Sequence, residues 1–168
     1  RCGRGSWSGE GGARRVGDGD REAAPLAAAA IGGMALKVAV LGAGGTIAPA
    51  IVRDLADSEE ISSMLLLDVV GARAEAVAAD QGGGKATALE LDATHEGALR
   101  AALEGCDALL NSAAYRLNLD AMEACLEAGC HYLDLGGLYW VAQRQLELSD
   151  RFEDAGGLAV LGIGSSPG

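Results

Sequence analysis

The sequence is poor in aromatic residues, with one Phe, two Trp and three Tyr among 168 residues. Hydrophobic residues nevertheless make up 49% of the chain, so the core has to be assembled mainly from Ala, Leu, Val and Ile. Small aliphatic side chains let helices lie close on a sheet, which is typical of layered α/β domains. A chain of this length is typical of a single domain.

Positive charge is also scarce, since 13 Lys and Arg residues stand against 24 Asp and Glu residues, giving a formal net charge of −11. An acidic surface of this kind repels phosphate backbones, so we expect no nucleic-acid partner. A dinucleotide can still bind, because backbone N–H groups and a helix dipole can receive its phosphates without a cationic side chain.

Signals for metal binding and for membrane insertion are missing as well. The four cysteines show no C-x-x-C spacing and the chain has only two histidines, so we expect no metal site and reduced thiols, as in a cytoplasmic protein. We interpret His95 and His131 as structural residues. No apolar run reaches the ~18 residues of a transmembrane helix, so we expect no membrane partner.

The first 33 residues differ in composition from the rest of the chain. They are rich in Gly, Arg and Ala, and they lack a periodic apolar pattern. A signal peptide is the alternative, but the apolar stretch at 23–33 is mostly Ala and charges of both signs precede it. We expect residues 1–33 to be a disordered leader or a non-native extension, and residues 34–168 to form the folded domain.

From residue 36 onward, short apolar runs alternate with amphipathic segments. The apolar runs predict six strands, at 36–42, 64–68, 86–92, 107–113, 131–137 and 158–164. The intervening segments predict helices at 47–56, 72–79, 94–103, 119–128 and 140–154. This alternation indicates α/β/α layers around a doubly wound parallel sheet of order 3-2-1-4-5-6, the Rossmann-type dinucleotide-binding fold.

A glycine-rich loop follows the first predicted strand and precedes the first predicted helix. A dinucleotide fingerprint requires a tight turn there, with bare backbone beside the helix N-terminus. The strict G-x-G-x-x-G pattern fails at Ile47, whereas the spacing G-x-x-G-x-x-A fits Gly42, Gly45 and Ala48. Thr46 can cap the helix or donate to a phosphate oxygen. The loop residues predicted to contact the cofactor are Gly42, Gly44, Gly45, Thr46 and Ile47.

Charged residues near the ends of the second and third strands indicate where the adenosine lies. Asp68 ends the second strand, where a carboxylate accepts hydrogen bonds from the ribose hydroxyls and repels a 2′-phosphate, so NAD is the predicted cofactor. Arg73 can instead meet a 2′-phosphate, which leaves NADP as the alternative. Asp92 can lie near the adenine, or it can cap the turn at Thr94.

The chain resembles the N-terminal domain of the saccharopine dehydrogenase family, in particular its saccharopine reductase branch. The resemblance covers roughly residues 36–168 and rests on the glycine loop, Asp68, the Asn111–Tyr115 turn, the segment 124–137 and the terminal GIGSSPG. Members of that family form or cleave a secondary amine that joins two amino-acid skeletons, in a reaction linked to a pyridine nucleotide. The resemblance implies an NAD(P)-dependent oxidoreductase with an amino-acid-like substrate.

Some roles follow from the resemblance alone. It implies that Asn111 and Ser112 pass the nicotinamide ribose and that Tyr115 faces the substrate as a candidate catalytic residue. Family members often carry a His three residues after that Tyr, where this chain has Asn118, a departure that weakens the case for a lysine-pathway substrate. Asp134, after the fifth strand, either contacts a ligand or caps a turn.

The resemblance also implies a separate substrate domain outside these residues. We therefore expect this fragment to bind cofactor with little turnover, and any homo-oligomer to form through the other domain. A dinucleotide-binding sensor or regulatory module without catalysis is the alternative. An epimerase of the short-chain type has no visible base, because the only lysines, Lys37 and Lys85, do not follow a Tyr at the fourth position.

Overall fold

Six aliphatic segments of the chain form the strands of a parallel sheet in the computed structural model, which describes residues 35–95 and 97–164. Their order across the sheet is β3-β2-β1-β4-β5-β6, and all five neighbouring pairs run parallel. The predicted topology is confirmed. The strands are β1 (Leu36–Leu41), β2 (Ile61–Asp68), β3 (Ala86–Glu90), β4 (Ala108–Asn111), β5 (His131–Asp134) and β6 (Ala159–Val160).

Helices fill the connections between the strands. A single turn of 3₁₀ helix, Tyr115–Leu117, also stands between β4 and the helix that follows. The helices are α1 (Ala48–Asp57), α2 (Gly71–Gln81), α3 (Ala98–Leu103), α4 (Asn118–Ala128), α5 (Tyr139–Leu146) and α6 (Ser149–Asp154).

The core lies in two clusters, one on each face of the sheet. Successive side chains of a strand point to opposite faces, so Val38 and Val40 pack with α1 and α2, while Ala39 and Leu41 join the cluster of α3, α4 and α6. Small side chains let the helices approach, and Ala48 in α1 is fully buried. This burial on both faces explains why the strands read as continuous apolar runs.

Several elements are shorter in the structure than the sequence predicts, and hydrogen bonds in the adjoining turns explain the differences. Strand β6 covers two residues instead of seven, because Gly162 adopts φ +73° and its N–H donates to Asp134. Strand β5 likewise ends at Asp134, before the turn at Gly136. Helix α3 begins four residues later than predicted, because Asp92 forms a turn with Thr94.

The long helix predicted at 140–154 is wrong, since the structure contains two short helices there. The chain leaves the helical path at residues 147–148 and resumes at Ser149. This break aims Gln145 at the end of β5 and places Phe152 of α6 in the core. The expected leader at residues 1–33 and the last four residues of the terminal motif lie outside the described ranges.

No helix of the described residues is long and apolar enough to cross a membrane. In the same ranges, His, Cys, Asp and Glu side chains form no group of three suited to a metal ion.

Strands β1 and β4 are neighbours at the centre of the sheet, and the strands that follow each of them are added on opposite sides. The chain leaves β1 toward β2 on one side, and it leaves β4 toward β5 on the other. Connections that diverge in this way leave a crevice at the carboxyl edge of the sheet, where ligands of open α/β sheets bind. The crevice therefore lies at the carboxyl ends of β1, β2 and β4.

Candidate cofactor-binding site

A cavity of about 490 Å³ lies at the crevice between the ends of β1, β2 and β4. Its size falls within the roughly 300–1,000 Å³ typical of small-molecule sites. Seven of the residues predicted from sequence to contact the cofactor are brought together in its wall. They are Gly42, Gly44, Gly45, Asp68, Arg73, Asp92 and Ser112.

The turn after β1 requires glycine at its first position. Gly42 adopts φ +78°, a conformation that side chains with a Cβ rarely take. A Cβ at this position would also lie 2.8 Å from the backbone of Ala113, which follows β4. The Gly42 N–H donates to the carbonyl of Leu67 at 2.8 Å, so the turn is held between the two neighbouring strands.

Gly44 and Gly45 lack a Cβ for different reasons. A Cβ on Gly44 would lie 2.5 Å from the Arg73 Cβ and 3.1 Å from the Asp68 carboxyl, so this glycine lets the loop pack against the protein itself. Gly45 is exposed, and a Cβ there would meet only the Gly42 carbonyl oxygen, at 3.0 Å. Gly45 is therefore the position whose bare backbone is open to a ligand.

The N-terminus of α1 lacks a side-chain cap. Of the two roles considered for Thr46, the helix cap is wrong, because Ile47 occupies the cap position without a side-chain hydrogen bond. Donation to a phosphate oxygen stays a prediction. Thr46 and Ile47 are both exposed, and neither belongs to the cavity wall. Within the described residues, the N–H groups of Thr46, Ile47 and Ala48 have no protein acceptor. The Thr46 and Ile47 donors are exposed at the positive end of the helix and can receive a phosphate, whereas Ala48 is fully buried.

Asp68 holds the glycine loop and retains capacity for a ligand. One carboxylate oxygen accepts the Gly44 N–H at 2.8 Å, and the other accepts the Val70 N–H at 2.9 Å. Each carboxylate oxygen can accept a second hydrogen bond, so ribose hydroxyls can still bind. Arg73 is exposed and forms no ion pair with a described residue, which leaves its guanidinium free to meet a 2′-phosphate.

Asp92 both caps a turn and lines the cavity. One of its oxygens accepts the Thr94 hydroxyl at 2.7 Å and the Thr94 N–H at 2.9 Å. These bonds hold the pKa of Asp92 below its usual range. The carboxylate is therefore fixed in its ionised form beside the predicted adenosine position.

The residues after β4 divide between the cavity and the interior. The Ser112 hydroxyl lines the cavity wall and donates to the Leu41 carbonyl at 2.8 Å, which ties the end of β4 to the glycine turn. Asn111 is 1% exposed and lies outside the cavity wall. Tyr115 also lies outside the wall, in the 3₁₀ turn, with the Arg116 guanidinium 5.6 Å from the centre of its ring.

A buried polar network around Asp134 accounts for Asn111 and contains residues that the sequence did not reveal. Asp134 is 1% exposed and accepts five hydrogen bonds. The donors are the N–H groups of Gly136 and Gly162, the Tyr132 hydroxyl, and the side-chain amides of Asn118 and Gln145. Asn111 donates to Asn118 and to Tyr132.

One signal in the sequence could have identified part of this network. The buried residues of α4 include Asn118, Ala121, Met122 and Cys125, a helical spacing that places Asn118 on an otherwise apolar face. A polar side chain on such a face requires a buried partner, because an unpaired amide in the core is costly. Gln145 carries no comparable signal, since α5 is largely exposed.

A second cavity, of about 510 Å³, lies beside this network at the ends of β5 and β6. The polar side chains in its wall are Asp134 and Gln145, which bond to each other at 2.6 Å. Asp134 already accepts five hydrogen bonds from the protein, so this wall offers no carboxylate with capacity for ribose hydroxyls. The cavity at β1, β2 and β4 is therefore the better candidate for a dinucleotide.

Comparisons with known proteins agree with this geometry. Residues 38–160 match the family model described as the saccharopine dehydrogenase NADP-binding domain. The chain is 34% identical over 140 residues to carboxyaminopropylagmatine dehydrogenase of Synechocystis sp., covering 79% of this chain and 35% of that protein. It thus spans about a third of the length of this curated relative.

Solved structures share the fold. Saccharopine dehydrogenase (L-Glu forming) of Saccharomyces cerevisiae superposes with a TM-score of 0.65 at 22% identity, over 76% of this chain and 27% of that one. An NADPH-dependent quinone oxidoreductase of Escherichia coli, in complex with NADPH, gives a TM-score of 0.56 at 24% identity, over 74% and 47% of the two chains.

The predicted family and the predicted class of cofactor are confirmed by the match to the family model, which covers most of the sheet. The chain belongs to the saccharopine dehydrogenase NADP-binding domain family, whose members are NAD(P)-dependent oxidoreductases, and NAD(P) is its cofactor.

Proposed function

We propose that this domain binds NAD in preference to NADP and positions it for an oxidoreductase acting on an amino-acid-derived secondary amine. The observation that carries the proposal is the Asp68 carboxylate, fixed to the Gly44 N–H in the wall of the cavity. When bound, the dinucleotide supplies the acceptor or donor of hydride. The protein residues bind it and orient it.

The preference for NAD rests on a balance between two charges. Asp68 is held by two backbone N–H groups and cannot move away from a 2′-phosphate without releasing the glycine loop. Arg73 is exposed and would have to be ordered to offset that repulsion. The family description names NADP, and Arg73 is the residue of this wall that can meet a 2′-phosphate. The balance between Asp68 and Arg73 therefore determines the choice between NAD and NADP in this chain.

The pyrophosphate is expected at the exposed, free N–H groups of Thr46 and Ile47, next to the bare backbone of Gly45. Asp68 and Asp92 then stand on the adenosine side, and Ser112 at the end of β4 stands toward the nicotinamide. This arrangement would place the reacting ring near the segment that carries Tyr115, which supports Tyr115 as a candidate contact to the substrate.

The class of substrate is proposed from the relatives. The similar proteins are named as dehydrogenases of carboxyaminopropylagmatine and of saccharopine. An amino-acid-derived secondary amine is the shared chemistry, and the net charge of −11 would favour the approach of a cationic amine.

Calorimetric titration with NADH and with NADPH tests the cofactor choice. We expect tighter binding of NADH to the parent protein, and Arg73→Ala should weaken NADPH binding more than NADH binding. Tighter binding of NADPH to the parent would overturn the preference and make Arg73 the dominant residue.

A separate assay tests the reaction. The protein is incubated with NAD and amino-acid-derived secondary amines, and NADH formation is followed by its absorbance. The assay uses two forms of the protein, this domain alone and this domain joined to the remainder of a relative. Reduction of NAD by any of these amines in either form supports the oxidoreductase role. Cofactor binding without turnover in both forms would favour a sensor.

A further inference from the structure

Two cysteines meet where α4 ends and β5 begins. Cys125 lies in the last turn of α4, and Cys130 follows Gly129, whose left-handed conformation closes the helix. The Cys130 N–H donates to the Cys125 carbonyl at 2.9 Å, so the turn itself brings the two residues together. Both are free thiols, and they are 0% and 2% exposed.

The two thiols differ in how readily they ionise. The nearby Cys125 thiol lowers the pKa of Cys130 despite the opposing effect of burial. The nearby Cys130 and burial together raise the pKa of Cys125. Burial also raises the pKa of Cys106, the other free cysteine of this core cluster. Cys130, whose thiol donates to the His131 carbonyl at 3.5 Å, is therefore the member of the pair that ionises first.

A small cavity of about 30 Å³ touches both residues. Its wall also contains Gly129, His131 and Gly156, which are exposed, so it lies directly beneath the surface. A cavity of this size admits one or two molecules as small as water. Hydrogen peroxide therefore fits beside the two sulfurs, whereas a bulky reagent does not.

We propose that Cys125 and Cys130 form a dithiol site that hydrogen peroxide oxidises to an intramolecular disulfide. The Cys130 thiolate attacks one oxygen of the peroxide, the O–O bond breaks, and Cys130 becomes a sulfenic acid. The leaving hydroxide takes up the proton that the Cys130 thiol released and departs as the first water. The Cys125 sulfur then attacks the Cys130 sulfur, the S–O bond breaks, and the leaving hydroxide departs as the second water with the proton of the Cys125 thiol. Two thiols lose two electrons in total, and one peroxide is reduced to two waters.

This site is independent of the proposed function. None of the residues around the small cavity lines the cofactor cavity, and the cysteines lie near the amino end of β5, opposite the edge that binds ligands. The Cys130 N–H donates to the Cys125 carbonyl within one turn, and both residues line the same small cavity, which favours a disulfide within one chain over one between chains.

Mass spectrometry of tryptic peptides tests the proposal in a Cys2→Ser background, because Cys2 lies outside the described residues. Cys125 and Cys130 share the peptide 117–144, and Cys106 lies in 101–116, which serves as the internal control. After peroxide treatment of the folded protein, we expect 117–144 to lose the mass of two hydrogens and to regain it with dithiothreitol. Peptide 101–116 should stay unchanged.

Single variants then test the order of the steps. Cys125→Ser should leave a Cys130 sulfenic acid, which dimedone traps when the peroxide is first removed and the oxidised protein is then unfolded in urea that contains dimedone. Cys130→Ser should slow oxidation of Cys125 at least about tenfold, since the thiolate is the nucleophile. Circular dichroism checks that each variant folds. The proposal is overturned if the parent peptide 117–144 keeps both thiols, if 101–116 oxidises as fast, or if oxidation appears only in urea.

Discussion

Two carboxylates end parallel strands in this domain, and the structure uses them differently. Asp68 ends β2, is partly exposed, and accepts two hydrogen bonds from the protein. Asp134 ends β5, is 1% exposed, and accepts five. In the sequence each Asp directly follows a Leu and precedes a glycine-containing turn. Position at the carboxyl edge of a sheet therefore does not by itself predict contact with a ligand.

The difference lies in how many donors the surrounding elements supply. Around Asp134, two backbone N–H groups and three side chains converge from β5, α4, α5 and the turn after β6. A buried carboxylate requires such saturation, because an unpaired charge in the interior is costly. Asp68 is partly exposed and has acceptor capacity to spare, which a ribose hydroxyl can use.

The largest effect is expected from Asp134→Ala. Removal of the acceptor leaves buried donors without partners, which should lower the free energy of unfolding by at least about 3 kcal/mol. Urea denaturation measures it, with Asp68→Ala as the matched control at the other strand end. We expect the control to lose less than about 1 kcal/mol, because its donors can turn to water. Equal losses in both variants would remove the distinction drawn between the two carboxylates.

The next effect concerns the two inner glycines of the loop. Gly45→Val should place a branched side chain where the pyrophosphate approaches, with a loss of at least about 2 kcal/mol, roughly thirtyfold in affinity. Its fold should persist, because a Cβ there meets only the Gly42 carbonyl. Gly44→Val should lower the melting temperature instead, since its Cβ would collide with Arg73 and Asp68.

Calorimetry measures the NADH affinity of both variants, and thermal melting measures their stability. Gly45→Val should lose mainly affinity, and Gly44→Val should lose mainly stability. If folded Gly45→Val binds NADH as tightly as the parent, the loop is only a turn and the placement of the pyrophosphate fails.

A smaller effect is expected when the Asp68 carboxylate is removed. Asp68→Ala should weaken NADH binding by about 1.4 kcal/mol, or roughly tenfold, through loss of charged hydrogen bonds to the ribose. Asp134→Asn, which preserves an acceptor at the other strand end, should leave the affinity of folded protein unchanged. Unaltered binding of NADH to Asp68→Ala would mean that Asp68 only braces the Gly44 loop.

The sequence was sufficient for the fold because its signals are local. Aliphatic runs, helical spacing and glycine turns predicted six strands and their order, and the loop with Asp68 predicted where the cavity lies. The sequence was insufficient wherever a distant partner decides the outcome. The Gln145 side chain of α5 and the Gly162 N–H after β6 both donate to Asp134, which is distant from them in the sequence.

Asn111 and Ser112 show the same limit within the site. They are adjacent at the end of β4, and the resemblance gave them the same role. Alternation along the strand turns Ser112 toward the glycine loop and Asn111 into the interior, where Asn118 and Tyr132 are its partners. No feature of residues 111–112 alone reveals that Asn118 will lie beneath them.

The smallest effect concerns the Tyr132 hydroxyl, which donates to Asp134 at 3.0 Å. Burial raises the pKa of Tyr132, so the folded state keeps this proton above about pH 10, where an unfolded tyrosine loses it. The unfolded state then binds fewer protons, and stability should fall by about 1.4 kcal/mol per pH unit from this group.

Tyr132→Phe should cost about 1 kcal/mol at neutral pH, through its lost hydrogen bonds, and should flatten the alkaline slope. Urea unfolding between about pH 8 and pH 11 measures both, and Tyr139→Phe, at a ring that is 74% exposed, is the control that should keep the parent slope. Identical slopes in the parent and Tyr132→Phe would show that the hydroxyl titrates as freely in the network as in the unfolded chain.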